Sequence, residues 1–549
     1  MFKKSIPTQK DLFRDLSVHL SERKSKLLNN PLGWHTIFYE QVFKRIDETV
    51  FSVLFEQNGR PNASLRVLLS MMILKEGNGW SDDQLFGNCR FDMRCMTALG
   101  LCHIDDDIPV ESTYYEFRRR VSDYNEKLDI DLIELSFQNV TKQQVSNYNI
   151  KGEKIRLDSK LINSNIAKSS RLHLILEALR VSINCTDVAI FSNEMDKEEL
   201  DLLTALQQKT VSNITYSMTN ADKKRWLTKL GFIIKQVLPY CATNSTLHRI
   251  YDEHYSEVSD SDKTNKTDQE LPKTIQAKPP KDIPSESVQS IHDPEATYRS
   301  KGSGNHVQKI SGYHANITET CSENNDFNLI TDVQLDTANV SESHFLSASI
   351  AQSNIVLRSC NENKQVVEHV TTDGGYDSNS NRETMALEHM PHWNMAKHKG
   401  VKLRYTLSCD THGNLQAYCK NTQADCEVHF STKTNKFVIT HIDKTKRYLS
   451  QNELENYLRI QSHLANQQPE DINIRPNVEA TIHQVFHRLL KRNKMKYRGQ
   501  YKCKMYCISR AYWSNFRRIL KNEVEQTIYV LFEVFVWLKN TNKALKLRS

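Results

Sequence analysis

The chain has 549 residues, of which 73 are Lys or Arg and 66 are Asp or Glu, and its formal net charge is +7. A hydrophobic fraction of 38% and a charged fraction of 25% are typical of a globular protein and exclude a wholly disordered chain. The longest nearly continuous apolar run, 527–538, has 12 residues and contains Glu533. A membrane span needs about 20 residues, so we expect no transmembrane segment. The start lacks the apolar core of a signal peptide and the 12 cysteines are scattered, which together favour the cytoplasm.

The positive charge is concentrated in one part of the sequence. Residues 475–549 contain 17 Lys or Arg and 4 Glu, a net charge of +13, so the rest of the chain carries −6. A local excess of this kind is the footprint expected of contact with a polyanion such as DNA. A solvated face that balances acidic loops would give the same count.

Residues 8–150 have the pattern of short helices joined by polar turns. Apolar residues recur at helical spacing over 11–20 and 64–75, Ser81 is placed to cap the next helix, and Ser112 opens another. A compact helical domain of this kind often docks on DNA through a helix-turn-helix arrangement. The pattern is equally typical of a helical scaffold or a dimerisation module.

Strand patterns alternate with helical ones in the rest of the chain. A short strand over 154–158 ends in Asp158, and helices are predicted over 168–250. The polar stretch from Asp252 to about Ser290 has the composition of a linker or a flexible insertion. The patterns that follow predict a hairpin of strands 312–319 and 329–335, a helix over 341–352, a strand over 365–372 that runs into Asp373, a β-rich stretch over 401–448 and a helix from Pro476.

Carboxylates at the ends of predicted elements are the clearest chemical signal. The sequence has no Walker phosphate loop, GxGxxG, HExxH or GxSxG motif, which removes support for nucleotide hydrolysis, zinc proteolysis and α/β-hydrolase chemistry. Asp158 and Asp373 each follow a predicted strand, and Glu479 lies in the first turn of the helix from Pro476. Carboxylates that share a crevice need a cation to neutralise them, and Mg²⁺ or Mn²⁺ suits oxygen ligands. Taken singly, each acid has an ordinary alternative role as a turn cap or a helix N-terminal acid.

Four groups of residues, in this order and spacing, resemble the DDE-type transposases that bacterial insertion sequences encode, in particular those with a long helical N-terminal domain. The groups are Gly59-Arg60-Pro61 with the leucine-rich helix and Trp80-Ser-Asp-Asp83 after it, Leu157-Asp-Ser-Lys160, Asp373-Gly-Gly-Tyr-Asp-Ser378 and Arg475-Pro-Asn-Val-Glu479. The resemblance extends over residues 35–530.

The resemblance implies an α/β fold with an RNase H-like mixed sheet and helices, preceded by an all-helical N-terminal domain and interrupted by a helical insertion and a β-rich insertion. Pattern and resemblance together divide the chain into 1–150, a helical N-terminal DNA-binding domain; 151–167, the first catalytic strand; 168–251, the helical insertion; 252–300, a flexible polar linker; 301–400, strands and helices of the core; 401–470, the β-rich insertion; and 471–549, the catalytic Glu helix and the basic C-terminal segment.

The resemblance also implies a site and a function. Asp158, Asp373 and Glu479 would be the catalytic residues and the ligands of two Mg²⁺ or Mn²⁺ ions per active site. The enzyme would bind the terminal inverted repeats of an insertion sequence, cleave the DNA at the element ends and join the 3′ ends to target DNA by phosphoryl transfer. Its partner would be double-stranded DNA, bound by a homodimer or a higher assembly. Its place would be the bacterial cytoplasm at the nucleoid, with no membrane.

The basic segment departs in part from the family pattern. Many relatives have a Tyr before the last motif and a Lys after it, at places where this chain has Ile472 and Phe486, and Arg488 or Lys491 could replace that Lys. The basic and aromatic composition of the segment suits phosphates beside a cut DNA end, with a solvated β-hairpin as the alternative. The predicted DNA contacts are Arg475, Arg488, Lys491, Arg492, Lys494, Lys496 and Arg498.

Two features of the sequence allow more than one interpretation. The pairs Cys409-x-x-His412 and Cys426-x-x-His429 have zinc-like spacing but no CxxC pair, so ordinary thiols are the alternative. The function has two alternatives, a catalytically inactive DNA-binding protein derived from a transposase and an RNase H-like nuclease that does not join strands.

Overall fold

The computed structural model of the chain describes residues 1–5, 15–103, 105–216, 218–242, 245–258, 274–302, 307–358, 366–395, 404–409, 414–451, 453–455, 457, 458, 461, 475–487 and 493–546. Within these residues, none of the helices has the length and hydrophobicity needed to cross a membrane. The predicted α/β fold with a helical N-terminal part is confirmed, because a mixed sheet is flanked by helices and preceded by a helical region.

The helical region before the sheet is built from short helices with well-defined ends. Ser81 and Gln84 form a capping box at one helix start, and Gly79 ends the preceding helix with a φ of 73°, a left-handed conformation that glycine adopts without strain. The predicted helix over 64–75 and the cap at Ser81 are confirmed. The helices are α1 Glu22–Leu28, α2 Trp34–Gln41, α3 Leu65–Asn78, α4 Asp82–Phe91, α5 Met93–Ala98, α6 Glu111–Leu128 and α7 Leu132–Asn147, with 3₁₀ turns at Leu16–His19, Phe43–Arg45 and Glu48–Leu54.

The rest of the described chain alternates strands and helices. In chain order these are β1 Lys154–Asn163, α8 Arg171–Ser182, α9 Lys197–Gln208, α10 Val211–Tyr216, α11 Asn220–Val237, α12 Thr246–His254, β2 Tyr255–Val258, β3 Thr274–Ala277, β4 Thr297–Lys301, β5 Gln308–Thr320, β6 Ile330–Thr337, α13 Phe345–Leu357, β7 His369–Thr372, α14 Asn379–Met385, β8 His392–Met395, β9 Tyr405–Cys409, β10 Leu415–Cys419, β11 Ala424–Ser431, β12 Lys436–Thr440 and β13 Lys446–Leu449. Two further helices follow, here named the Glu479 helix, Arg475–Ile482, and the C-terminal helix, Gln500–Lys546.

The central sheet combines antiparallel and parallel pairs. Its strand order is β4-β5-β1-β7-β8, and β6 pairs with β5 beside β4. β5 runs antiparallel to β4, β6 and β1, whereas β1, β7 and β8 run parallel to one another. The predicted hairpin of 312–319 with 329–335 is confirmed as β5 with β6, and the predicted strand before Asp373 is confirmed as β7.

The prediction that Asp158 ends its strand is wrong. β1 continues to Asn163 because β5 pairs with it as far as the partners Asn163 and Gly312. The parallel neighbour β7 is shorter and ends at Thr372. Asp158 therefore lies inside a long strand, at the level where β7 gives way to the turn that carries Asp373.

The helical insertion α8–α12 has a hydrophobic core of its own, and part of the predicted linker belongs to it. β2 and β3 form an antiparallel ribbon that buries Tyr255 and Ile275 in this core, and Val288 is buried there as well. Residues 252–258 and 274–300 are therefore structured, which corrects the linker prediction; residues 259–273 lie outside the described residues. A two-stranded ribbon needs apolar side chains on one face alone, so its mean composition is polar.

The β-rich insertion is an antiparallel meander of β9 to β13 in sequence order. Tyr405, Leu407 and Ile439 are buried in a separate small core. The predicted β-rich character of 401–448 is confirmed for the residues described there, 404–409 and 414–448.

One hydrophobic core extends from the N-terminal helices through the sheet to the C-terminal helix. The rings of Phe38 and Phe516 meet edge to face with centroids 5.2 Å apart, and Arg510 Nη1 donates a hydrogen bond to the Gly77 carbonyl oxygen at 2.8 Å. The C-terminal helix therefore joins the N-terminal helices to the sheet. It lies closest to α3 at Gly77.

A methyl group at Gly77 would lie 2.2 Å from Cδ2 of Trp513. We expect Gly77→Ala to lower the free energy of unfolding by about 1–3 kcal/mol, because a ring packed between two helices cannot move aside cheaply. Gly87 in α4 is the matched control, since nothing lies within 4 Å of a Cβ built there. Gly87→Ala should stabilise by about 0.5–1 kcal/mol through helix propensity. Urea unfolding of both variants measures the contrast, and equal effects would contradict the close approach.

Candidate active site

Asp158 and Asp373 lie at the same level of the central sheet. β1 and β7 pair in parallel as far as Arg156 and Thr371, and each chain reaches its aspartate two residues later. Asp373 keeps an extended backbone, with φ −88° and ψ 176°, so the direction of β7 continues through it. Neighbouring strands are about 4.8 Å apart. The sheet therefore brings together two predicted site residues that are distant in sequence.

Backbone N–H groups orient both aspartates. Asp373 caps the 3₁₀ turn Gly374–Tyr376, and its Oδ1 accepts a hydrogen bond from the Gly375 N–H at 2.8 Å. The Ser159 N–H donates to Asp158 Oδ1 at 2.9 Å. Each carboxylate is thus held by the chain that immediately follows it.

The buried Tyr376 hydroxyl lies close enough to several carboxylates for their charges to raise its pKa. Burial raises the pKa of Tyr376 well above its ordinary value, and the charges of Asp158, Glu342 and Asp373 raise it further. The hydroxyl donates to Asn316 Oδ1 at 2.5 Å. Three carboxylates from separate elements therefore act on one phenol.

Glu479 is presented by a helix that packs against the sheet beside Asp158. Thr481 Oγ1 of the Glu479 helix donates to Glu319 Oε2 at 2.8 Å, and Arg156 Nε of β1 lies 2.7 Å from the other oxygen of that carboxylate. Arg156 and Asp158 share one face of β1 because they are two residues apart in a strand. The Glu479 helix thus covers the face that carries Asp158, and the Glu479 side chain lies on the exposed side of the helix.

The side chains of Asp158, Asp373 and Glu479 do not lie close enough together to form a three-ligand metal site. Among the described residues, His, Cys, Asp and Glu side chains form no group of three or more that could hold a metal ion. Asp158 and Asp373 supply the carboxylate oxygens that Mg²⁺ and Mn²⁺ prefer. The chemistry of this pair fits a hard divalent cation, with Glu479 presented from a separate helix.

The basic segment after the Glu479 helix packs back on the protein. Lys494 Nζ and Arg498 Nε donate hydrogen bonds, at 2.6 and 2.8 Å, to carbonyl oxygens of the loop after β1. Lys496 Nζ lies 3.6 Å from the carboxylate of the buried Glu76. The alternative of a solvated β-hairpin is wrong, because the C-terminal helix begins at Gln500. The Arg475 side chain and residues Arg488, Lys491 and Arg492 lie outside the described residues.

The cysteine and histidine pairs of the β-rich insertion lack the geometry that their spacing suggested. Cys426 and His429 both lie in β11, three positions apart, so their side chains point to opposite faces. Cys426 Sγ instead lies 3.9 Å from Nδ1 of His441, whose Nε2 is 2.6 Å from the Tyr405 hydroxyl. The pair in β11 therefore does not chelate a metal. The Cys409 side chain and His412 lie outside the described residues.

Sequence reasoning missed Glu342, which lies just before α13. A Cβ built on Gly375 would be 1.7 Å from Glu342 Oε2 and 3.0 Å from Asp373 Oδ1, so this carboxylate packs directly on the turn of the second aspartate. The pair Gly374-Gly375 was the available signal, because adjacent glycines indicate a tight turn with a close neighbour.

The helices ahead of the sheet are similar to a known protein family. Residues 27–120 match the protein family described as Transposase domain (DUF772). The match supports a transposase. It covers α2 to α5 and most of α6. No curated protein and no solved structure matches the chain.

Proposed function

We propose that the chain is a DDE-type DNA transposase that binds the terminal inverted repeats of an insertion sequence, cleaves the DNA at the element ends and joins the 3′ ends to target DNA. The observation that carries the proposal is the match of residues 27–120 to a transposase domain, in a chain whose sheet aligns Asp158 with Asp373. The mixed sheet with packed helices supports an RNase H-like core for that pair.

In the proposed site, Asp158, Asp373 and Glu479 hold two Mg²⁺ or Mn²⁺ ions. When bound, such ions would supply Lewis-acid chemistry for the activation of a water or a DNA 3′-hydroxyl and for the departure of the leaving oxygen at phosphorus. The chain contributes the orientation of the carboxylates, through the N–H groups of Ser159 and Gly375. No covalent link between protein and DNA is needed.

The N-terminal helices are proposed to read the inverted repeats, and the basic segment to contact phosphates beside the scissile bond. Pairing two element ends requires at least two copies of the site, so the proposed assembly on DNA is a homodimer or larger.

The test is strand-cleavage mapping with the full-length chain, Mg²⁺ and duplexes that carry the element's own ends. We expect a break with a 3′-hydroxyl at the end of the element, and joined products when target DNA is added. Cleavage without joining would favour a nuclease. Specific binding to the ends without cleavage would favour an inactive DNA-binding protein.

Arg498 is the best position at which to test whether the basic segment contacts DNA. Its side chain is exposed, whereas those of Lys494 and Lys496 are partly buried. We expect Arg498→Gln to reduce the slope of log K against log salt by about one, the effect of one lost phosphate contact. Fluorescence anisotropy over a KCl series measures the slope. Lys197→Gln, at an exposed position that starts α9, is the control and should leave it unchanged. A wild-type slope for Arg498→Gln would mean that Arg498 does not contact DNA.

A further inference from the structure

Glu342 is a buried carboxylate that the proposed chemistry leaves without a role. It starts the 3₁₀ turn Glu342–His344 ahead of α13. Lys301 Nζ at the end of β4 lies 3.1 Å from its Oε1, and Ser159 contributes a hydrogen bond to the same carboxylate. Burial alone would raise the pKa of Glu342, but Lys301 and its other partners lower it, so the group is charged at neutral pH. A buried charge of this kind persists only with such partners.

The Glu342 carboxylate occupies the space that a side chain at position 375 would take. A Cβ on Gly375 would be 1.7 Å from Glu342 Oε2 and 2.8 Å from its Cδ. The N–H of Gly375 is also the donor that orients Asp373, at 2.8 Å. Glu342 therefore packs on the peptide that holds the second aspartate.

The same carboxylate is linked to the strand of the first aspartate. Glu342 Oε1 lies 3.9 Å from Nε2 of His314, and that nitrogen is 2.9 Å from Ser159 Oγ. His314 Nδ1 donates to the Val340 carbonyl oxygen at 2.8 Å. Burial lowers the pKa of His314 to about 4, so the ring is neutral at neutral pH. Ser159 directly follows Asp158, so contacts of Glu342 reach both aspartate-bearing segments.

We propose that Glu342 is a positioning residue of the candidate active site, whose carboxylate, balanced by Lys301, holds the Asp373 turn against β1. The meaning of this role for catalysis rests on the proposed function, whereas the role in the turn is testable without metal or DNA.

The first test is amide hydrogen exchange of the 369–377 segment without metal. Glu342→Gln keeps the volume of the side chain and removes its charge, and we expect these amides to exchange about tenfold faster, since the ion pair with Lys301 that holds the carboxylate against Gly375 is lost. The matched control is Glu253→Gln, because Glu253 is also buried and paired, with Arg249 Nε at 2.7 Å, but lies in the helical insertion. It should leave exchange over 369–377 unchanged.

The second test is calorimetric titration of the full-length chain with MnCl₂. Glu342→Gln removes a negative charge that acts on Tyr376 together with Asp158 and Asp373, and it leaves the positive charge of Lys301 uncompensated, so we expect the Kd for Mn²⁺ to rise about tenfold. The double variant with Lys301→Gln removes that charge and should return the Kd to within about threefold of wild type. A residue that only fills space would not give this recovery.

The outcomes separate this inference from the proposed function. Wild-type exchange over 369–377 in Glu342→Gln overturns the positioning role, and so does a double variant that binds Mn²⁺ no better than the single one. Failure of the wild-type chain to bind Mn²⁺, with faster exchange in Glu342→Gln, supports the positioning role and counts against the metal-dependent function.

Discussion

Asp158→Asn and Asp373→Asn are each expected to reduce Mg²⁺-dependent cleavage of element ends by at least about 10³-fold, because loss of a metal-binding carboxylate removes several kcal/mol of transition-state stabilisation and each 1.36 kcal/mol is a factor of ten. DNA binding should survive, since asparagine has the same size and keeps an oxygen for the N–H donors of Ser159 and Gly375. Single-turnover cleavage and fluorescence anisotropy measure the two properties separately.

The matched control is Asp425→Asn, an exposed aspartate on β11 of the β-rich insertion, which should cleave like wild type. Full cleavage by either Asp158→Asn or Asp373→Asn would remove that residue from the site. Glu479→Gln completes the series: a comparable loss supports its place with the aspartate pair, and full cleavage limits the site to the pair and other ligands.

Glu319→Gln is expected to have the largest effect on stability. Glu319 is fully buried between two arginines, with Arg156 Nε at 2.7 Å and Arg518 Nη2 at 2.8 Å. Removing one partner of a buried ion pair leaves uncompensated charge in the core, which costs about 3–5 kcal/mol. The Thr481 contact that seats the Glu479 helix goes to the same carboxylate, so that helix should loosen as well.

Hydrogen exchange of β1 and β5 peptides measures this effect better than one unfolding midpoint, because a chain with several cores need not unfold in a single step. Glu323→Gln is the control, since Glu323 pairs with Lys154 at 3.1 Å but is largely exposed. Surface pairs of this kind contribute about 0–1 kcal/mol. Equal effects of the two substitutions would mean that the Glu319 cluster does not hold the sheet and the helices together.

The sequence predicts the two aspartates of the candidate site, but it does not predict the residues that pack around them. Asp373 could be found because a buried strand and two glycines flank it, which are local features. The sequence also indicates Asp158, but the prediction that it ends a strand is wrong because the length of β1 depends on its partner β5. Glu342 belongs to no recognisable motif, and the adjacent Gly374 and Gly375 indicate only that some neighbour lies close, because the pairing of Glu342 with Lys301 joins β4 to the chain before α13.

The contacts of the basic segment are likewise not predictable from its sequence. Its net charge predicts contact with a polyanion, but composition does not tell which Lys and Arg side chains face solvent. Lys496 lies beside the buried Glu76 of α3, and Lys504 Nζ lies 3.1 Å from Asp131 at the start of α7. Part of the charge excess therefore pairs with acidic residues of the N-terminal helices, whereas the Arg498 side chain stays exposed.

Sequence patterns alone predict local elements of this protein: the helix over 64–75, the cap at Ser81, the hairpin of β5 with β6 and the glycine turn after Asp373. These follow from periodicity, caps and backbone conformation within a few residues. The pairing of β1 with β7, which brings Asp158 level with Asp373, and the packing of Glu342 on Gly375 are visible only in the folded chain. The pairing of distant strands and the burial of charged groups depend on packing between elements far apart in the chain, and hydrophobic periodicity carries no information about which elements will meet.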